Sequence, residues 1–137
     1  MLRQIASKVR RRCERYVKNT NRNKLPSYSS AKNLECMCAI ASALIFKELK
    51  KHKIKATFIE GYFRTRLYSL RNPTKENINH CWVEVNKKII DVTLTQFGRY
   101  PKVIVSGKIS PKYIKIFTHS RVPKLKEWPE DQRPISI

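Results

Sequence analysis

Apolar side chains recur at helical spacing in two stretches of the chain. In residues 2–19 they lie three or four positions apart, which predicts a helix with one buried face. A second helix is predicted over residues 33–52, and its run 39–46 contains almost no polar residue, so this helix is expected to be central. The apolar positions of the first helix are Leu2, Ile5, Ala6, Val9, Cys13, Tyr16 and Val17.

The rest of the chain shows shorter apolar patterns separated by turn residues, and these predict strands. One strand is expected at residues 55–63, where Gly61 marks a bulge or a close approach of two backbones. Others are expected within residues 80–91, at residues 103–105 and at residues 113–117. The segments expected to be loops or extended chain are residues 19–33, residues 64–78 and the proline-containing tail from Val122.

Residues 80–91 predict two strands joined by a tight turn, because apolar and polar side chains alternate there with a period of two. His80 and Trp82 then share one face of the hairpin. If residues 86–87 form the turn, Asp91 lies diagonally from His80 on that face, and in a register shifted by one pair it lies directly opposite. In either register the carboxylate of Asp91 can reach the imidazole of His80.

The order of these elements predicts an α+β fold in which a central helix packs on an antiparallel β-sheet. A length of 137 residues suits one domain with a modest core. Within this domain the sequence indicates a basic helix and loop at residues 1–32, the core at residues 33–121, and an extended tail at residues 122–137.

The charge of the chain is strongly positive, with 30 Lys and Arg against 10 Asp and Glu and a formal net charge of +20. Such a charge predicts attraction to nucleic acid, anionic membrane surfaces or acidic proteins. The polar face of the first helix carries a dense basic cluster, which is either a solvated face or a contact for phosphate or another anionic partner. The residues predicted to form this basic surface are Arg10, Arg11, Arg12 and Arg15.

The cysteines and histidines show no spacing typical of a zinc site. Reduced thiols in a cytoplasmic, reducing compartment are therefore predicted for the four cysteines. Residues 2–18 are Arg-rich and amphipathic, so mitochondrial targeting is an alternative, as is association with a virion. No apolar run approaches the length of a membrane span. The four cysteines are Cys13, Cys36, Cys38 and Cys81.

A cysteine at the start of a buried helix is chemically distinct, because the unpaired N–H groups and the helix dipole favour its thiolate. Cys36 and Cys38 both fall in the first turns of the second predicted helix. A cysteine paired with His80 and oriented by Asp91 would perform acyl transfer on an amide or thioester. Taken singly, the cysteine is explained as a small core residue, His80 as a hydrogen-bonded polar group, and Asp91 as part of a turn. Their order on helix, strand and next strand favours the catalytic interpretation.

These residues resemble the transglutaminase-like superfamily of papain-like cysteine enzymes. The family pattern is a Cys that opens an Ala/Leu-rich helix, a strand ending in Gly-Tyr, His-x-Trp-x-Glu, and an apolar pair before Asp-x-Thr. The similarity covers residues 33–97, and residues 95–97 resemble an ending seen in small bacterial and phage-type members. The matching segments are Cys38–Leu44, Ile59–Tyr62, His80–Val85 and Ile89–Thr93.

The resemblance implies that Cys38 is the nucleophile, His80 the general base and then acid, and Asp91 the carboxylate that orients the imidazole. It favours Cys38 over Cys36, because Cys36 occupies a position where the family often has a small residue, commonly Gly. A cysteine there departs from the family pattern. Trp82 is expected to pack the hairpin on the core, with substrate contact as its alternative role. This chemistry needs no metal and no organic cofactor.

The first predicted function is that of a thiol protease or amidase, a hydrolase that cleaves a peptide or isopeptide amide through a Cys38 acyl-enzyme. An acidic peptide or protein substrate would suit the net charge of +20. A protein transglutaminase or deamidase that uses the same three residues is the second possibility. The third is a basic module that binds nucleic acid or protein and carries an inactive triad.

Overall fold

A computed structural model describes residues 1–20, 30–35, 37–68 and 73–124. This part of the chain contains two α-helices and a five-stranded antiparallel sheet, which confirms the predicted α+β class. None of its helices is long and apolar enough to cross a membrane. The elements are α1 (Leu2–Asn19), α2 (Cys38–Lys51), β1 (Thr57–Tyr68), β2 (Pro73–Val85), β3 (Lys88–Asp91), a 3₁₀ turn (Leu94–Phe97), β4 (Ile104–Ser106) and β5 (Tyr113–His119).

Helix α1 begins and ends where the spacing of its apolar residues predicts. Ile5, Val9 and Cys13 are buried in one core cluster with Ile45 and Leu49 of α2. The same cluster includes residues of the sheet, so α1 shares its core with α2 and the strands. Burial of its apolar stripe is what stabilises this helix, because isolated helices of this length are marginal in water.

Two side chains of α1 differ from the prediction. Tyr16, expected on the buried face, is 38% exposed. Arg10, expected in the basic surface, is only 2% exposed. Its guanidinium lies inward because it donates to the carbonyl oxygens of Val92 and Lys32 at 2.8 and 2.6 Å, so the surface prediction is wrong for Arg10. The other members of that predicted surface are exposed: Arg11, Arg12 and Arg15.

Helix α2 begins at Cys38, later than the predicted start at Asn33. Residues 30–35 form turns instead, and Leu34 has a φ of 54°, a left-handed conformation that ends any helix. The late start makes Cys38 the first helical residue. The C-terminal end at Lys51 agrees with the prediction to within one residue.

Strands β1 and β2 pair along their whole lengths, from Thr57 opposite Glu84 to Tyr68 opposite Pro73. The prediction of a loop is therefore wrong for residues 64–68 and 73–78, whereas residues 69–72 lie outside the described residues. Residues 64–68 and 73–78 are mostly polar and lack the apolar alternation by which strands are recognised in a sequence. Hydrogen bonds between the two backbones hold these segments together as strands.

The sheet has the strand order β4-β3-β2-β1-β5, so the chain crosses from one edge to the other between its last two strands. Strands β4 and β5 confirm those predicted near residues 103–105 and 113–117. Val83 and Val85 of β2 face the helices. Because side chains alternate along a strand, Trp82 lies on the other face, where it packs with Ile59 and Tyr113.

Gly61 lies where the register between β1 and β5 shifts, which confirms the predicted bulge. A Cβ atom at this position would collide with the carbonyl oxygen of Ile114 and would lie 2.9 Å from Cη2 of Trp82. The position is therefore also the predicted close approach. Any other residue would have to displace the backbone of β5 and the indole ring as well.

Candidate functional site

The turn between β2 and β3 brings His80 beside Asp91. Residues 86–87 have φ values of 49° and 65°, both left-handed, as in the type I′ turns that match the twist of paired strands. Val85 therefore pairs with Lys88, which is the first of the two predicted registers. In this register Nε2 of His80 lies 2.7 Å from Oδ2 of Asp91, and both side chains are buried.

The carboxylate of Asp91 accepts hydrogen bonds on both oxygens. Thr93 donates to Oδ1 from its backbone N–H at 2.9 Å and from its hydroxyl at 3.3 Å. The hydroxyl of Tyr113 donates to Oδ2 at 2.8 Å. Burial raises the pKa of Asp91, but His80 and these donors outweigh burial and hold that pKa below its ordinary value. The carboxylate is therefore ionised and fixed in orientation.

His80 is held as an imidazolium. Burial lowers its pKa, but the neighbouring Asp91 carboxylate reverses this effect and raises the pKa to about 10. The ring lies among aromatic side chains, with the centroid of Phe97 at 5.1 Å and that of Phe63 at 6.0 Å. Since Nε2 is bonded to Asp91, Nδ1 is the nitrogen left for chemistry. It is buried and makes no hydrogen bond of ordinary geometry within the described ranges.

Cys38 completes the cluster from the start of α2. Burial raises the pKa of its thiol well above the ordinary value, and the adjacent Cys81 raises it further, whereas interaction with His80 lowers it. The N-cap residue Met37 makes no side-chain capping bond, so the first N–H groups of α2 carry their partial positive charge uncapped by that side chain. Cys36, the alternative nucleophile, lies outside the described residues.

The three predicted catalytic residues thus meet in one cluster: Cys38 from α2, His80 from β2 and Asp91 from β3. Their exposed fractions are 0%, 1% and 2%, so the cluster is closed. At neutral pH its resting state is a neutral thiol beside an imidazolium. Uncovering the thiol would remove burial, the largest cause of its raised pKa, and would leave the attraction of His80. Opening the cluster to solvent would therefore lower the pKa of the Cys38 thiol.

The remaining predicted residues occupy different environments. Trp82 is 1% exposed and its ring lies 5.0 Å from that of Tyr113, as expected for the packing role. Its contact with a substrate stays a prediction. His52 is exposed as expected. His119 was also expected to be a simple surface residue, but it is half-buried and lies 2.6 Å from a carboxylate oxygen of Glu60.

Two residues around the cluster were missed in the sequence. Tyr113 bonds Asp91 from the far edge of the sheet, and no local pattern near residue 113 signals a partner on β3. Arg10 could have been recognised, because it falls on one helical face with the apolar residues Ala6 and Cys13. A charged residue inside a buried stripe needs buried partners, and Arg10 has them.

No group of three or more His, Cys, Asp or Glu side chains in the described ranges is arranged to hold a metal ion. The geometry therefore offers a thiol, an imidazole and a carboxylate as the groups for chemistry. Comparison of the chain with protein-family models, with curated proteins and with solved structures found no match.

Proposed function

We propose that this protein is a cysteine-dependent acyl-transfer enzyme with a transglutaminase-like core, and that it hydrolyses a peptide or isopeptide amide through Cys38. The observation that carries the proposal is the 2.7 Å contact between Nε2 of His80 and Asp91, together with the interaction of the His80 imidazole with the Cys38 thiol. A His–Asp pair that served stability alone would need no thiol next to the imidazole. The thiol also lies at a helix start, where N–H groups can stabilise an oxyanion.

The first half of the reaction forms a thioester. Once uncovered, Cys38 releases its proton to solvent water and forms a thiolate beside the imidazolium of His80. The thiolate attacks the amide carbonyl carbon, a C–S bond forms, and the carbonyl electron pair moves to the oxygen beside the N–H groups of α2. Collapse of this intermediate breaks the C–N bond, and the imidazolium gives its proton to the leaving amine.

The second half releases the product. Neutral His80 accepts a proton from water, and the hydroxide so formed attacks the thioester carbonyl carbon. The C–S bond then breaks, which releases a carboxylic acid and restores the thiolate of Cys38 beside the imidazolium. Asp91 keeps the ring oriented through both halves and stabilises its charged form.

Transamidation and deamidation would use the same thioester. In transamidation an amine replaces water in the second half, and in deamidation the first leaving group is ammonia. Hydrolysis is the reaction proposed here because water serves as the acceptor, so no second bound substrate is required.

The reactivity of the thiol tests the proposal. Native protein is alkylated with iodoacetamide near neutral pH, and mass spectrometry follows each cysteine. Cys38 should react at least about tenfold faster than Cys13, which is equally buried and has a pKa raised to about 11 without a neighbouring imidazolium. In a parallel experiment, p-nitrophenyl acetate should leave an acetyl group on Cys38.

The His80→Ala variant should abolish both effects, because the thiolate then loses its counter-charge. His52→Ala removes an exposed imidazole from the far end of α2 and should change neither. Equal and slow alkylation of Cys38 and Cys13, without acetylation, would overturn acyl transfer as the function.

A second function, electrostatic binding of nucleic acid, is favoured by one observation. The exposed face of α1 is almost entirely cationic, and its first turn contains no acidic residue. Guanidinium groups bind phosphate with two parallel hydrogen bonds, which suits a polyphosphate partner. This function is compatible with acyl transfer, since α1 would bring the enzyme to its target. The exposed cations of α1 are Arg3, Lys8, Arg11, Arg12, Arg15 and Lys18.

A further inference from the structure

A cavity of about 490 Å³ lies between the turn that precedes α2 and the segment that follows β3. Its volume falls within the range of about 300–1,000 Å³ that is typical of ligand sites. Three exposed cations line it, Lys32, Arg99 and Lys102, together with the neutral groups of Gln96 and Tyr100. No carboxylate is among its described lining residues. The cavity therefore has the chemistry of an anion site.

The cavity lies near the candidate catalytic cluster, although none of Cys38, His80 and Asp91 lines it. Lys32 lies shortly before Cys38 in the chain, and the opposite wall begins just after Thr93, which bonds Asp91. Phe97, between the lining residues of that wall, lies with its ring centroid 5.1 Å from that of His80. Phe97 therefore connects one wall of the cavity to the imidazole of His80.

The two walls are joined by the buried guanidinium of Arg10. It donates to the carbonyl oxygen of Lys32 at 2.6 Å on one wall and to Oγ1 of Thr95 at 2.9 Å on the other. Thr95 in turn donates to the carbonyl oxygen of Asn33 at 3.0 Å. Because these bonds cross between the walls, the cavity is preorganised, and a ligand need not assemble it.

The carboxylate of Glu14 competes for one of these cations. It lies 3.8 Å from Nζ of Lys102, whose side chain is 62% exposed, and it is also bonded to Arg10 at 3.3 Å. Exposed ion pairs at such distances contribute little. The ammonium of Lys102 can therefore turn toward a ligand in the cavity.

We propose that this cavity binds acidic side chains of a peptide substrate and so holds the scissile amide beside Cys38. The proposal rests on the acyl-transfer function, which it extends by naming the substrate class. A peptide is favoured over a small free anion because the cavity is open to solvent, so a bound side chain can belong to a longer chain that extends toward the cluster. Carboxylates and phosphates share the relevant chemistry, and the experiment separates them.

The test measures binding, without turnover, in protein carrying Cys38→Ser. A fluorescein-labelled hexaglutamate peptide and its hexaglutamine counterpart are titrated and followed by fluorescence anisotropy. The acidic peptide should bind at least about tenfold more tightly, and Arg99→Glu/Lys102→Glu should remove this preference. Arg99→Gln/Lys102→Gln should weaken it to an intermediate degree.

Lys53→Glu/Lys55→Glu is the matched control. It makes the same change of net charge with exposed residues beyond the C-terminal end of α2, about 20 Å along the helix from Cys38. Equal loss of binding in both charge-reversed proteins would overturn the cavity as the site. Displacement of the peptide by inorganic phosphate at lower concentration than by glutarate would overturn the peptide as its ligand. Binding that persists while Cys38 fails the alkylation test would overturn acyl transfer and leave the anion site standing.

Discussion

Oδ2 of Asp91 accepts two hydrogen bonds, from His80 at 2.7 Å and from Tyr113 at 2.8 Å. Burial and the adjacent carboxylate raise the pKa of Tyr113 far above its ordinary value, so the phenol always donates. Because Thr93 occupies the other oxygen, the carboxylate cannot rotate without breaking bonds. The orientation of the imidazole thus depends on a residue from the opposite edge of the sheet.

Tyr113→Phe should destabilise the ionised form of Asp91. A hydrogen bond to a charged group contributes about 2 kcal/mol, so the free energy of unfolding at neutral pH should fall by about that amount. A carboxylate whose folded pKa is lowered stabilises the protein above its ordinary pKa of 3.8, and this stabilisation is lost as the pH falls through the folded pKa. Without the phenol, the folded pKa rises, and acid unfolding should begin about one pH unit higher.

Circular dichroism during acid titration measures this shift. Tyr100→Phe is the matched control, because it removes a phenol whose oxygen accepts an exposed bond from Lys112 and does not touch Asp91. An acid midpoint that moves equally in both variants would show that the bond from Tyr113 to Asp91 has no special effect.

At the scale of elements, Arg10 connects parts of the chain that are distant in sequence. Its guanidinium joins α1 to the carbonyl oxygen of Lys32 before α2 and to that of Val92 after β3. The segments that carry Cys38 and Asp91 are therefore held together by a helix outside the region that resembles the enzyme family. Loss of α1 would affect the site through these bonds, whatever the helix binds on its outer face.

Arg10→Met should cost about 3 kcal/mol or more of unfolding free energy. The substitution keeps an unbranched side chain but leaves buried acceptors on both sides without their donor. Arg11→Met, an exposed neighbour on the same helix, should change stability by no more than about 0.5 kcal/mol. Equilibrium unfolding in urea compares the two variants, and equal losses would contradict the connecting role of Arg10.

Local elements were the most predictable from sequence. The limits of α1 and the pairing of β2 with β3 follow from side-chain periodicity and a short turn, so the contact of His80 with Asp91 could be expected. The start of α2 was missed, because the left-handed backbone of Leu34 has no Gly or Pro to signal it. The bond from Tyr113 to Asp91 depends on the order of strands in the sheet, which periodicity does not determine.

At the scale of the whole molecule, the cationic side chains behind the net charge of +20 lie in different environments. The guanidinium of Arg10 is internal, three cations line the cavity beside the cluster, and others form the outer face of α1. The apolar face of α1 is already buried in the core, so it cannot insert into a lipid bilayer. A polyanion bound at α1 would therefore be held by charge, with strong dependence on salt.

Replacement of Arg11 and Arg15 by Gln tests this outer face. If α1 contacts nucleic acid, the slope of log K against log salt concentration for binding to a short DNA duplex should become less negative by about 0.9 for each cation removed. Anisotropy titrations from about 50 mM to about 200 mM salt measure that slope. Lys53→Gln/Lys55→Gln removes equal charge elsewhere and should leave the slope nearly unchanged. The same decrease in both proteins would assign binding to net charge alone.

The burial of Cys38 also affects how readily its thiol is oxidised over time. Its thiol is 0% exposed and its pKa is raised by burial, so the resting molecule contains almost no thiolate at this position. Peroxides and disulfides attack thiolates, and over-oxidised cysteines are not recovered. Under the proposed function, oxidative damage to the nucleophile would be restricted to the moments when the cluster is open. Oxidants and iodoacetamide would both reach the thiol only through such openings, so the rate of alkylation also reports how often the resting cluster opens.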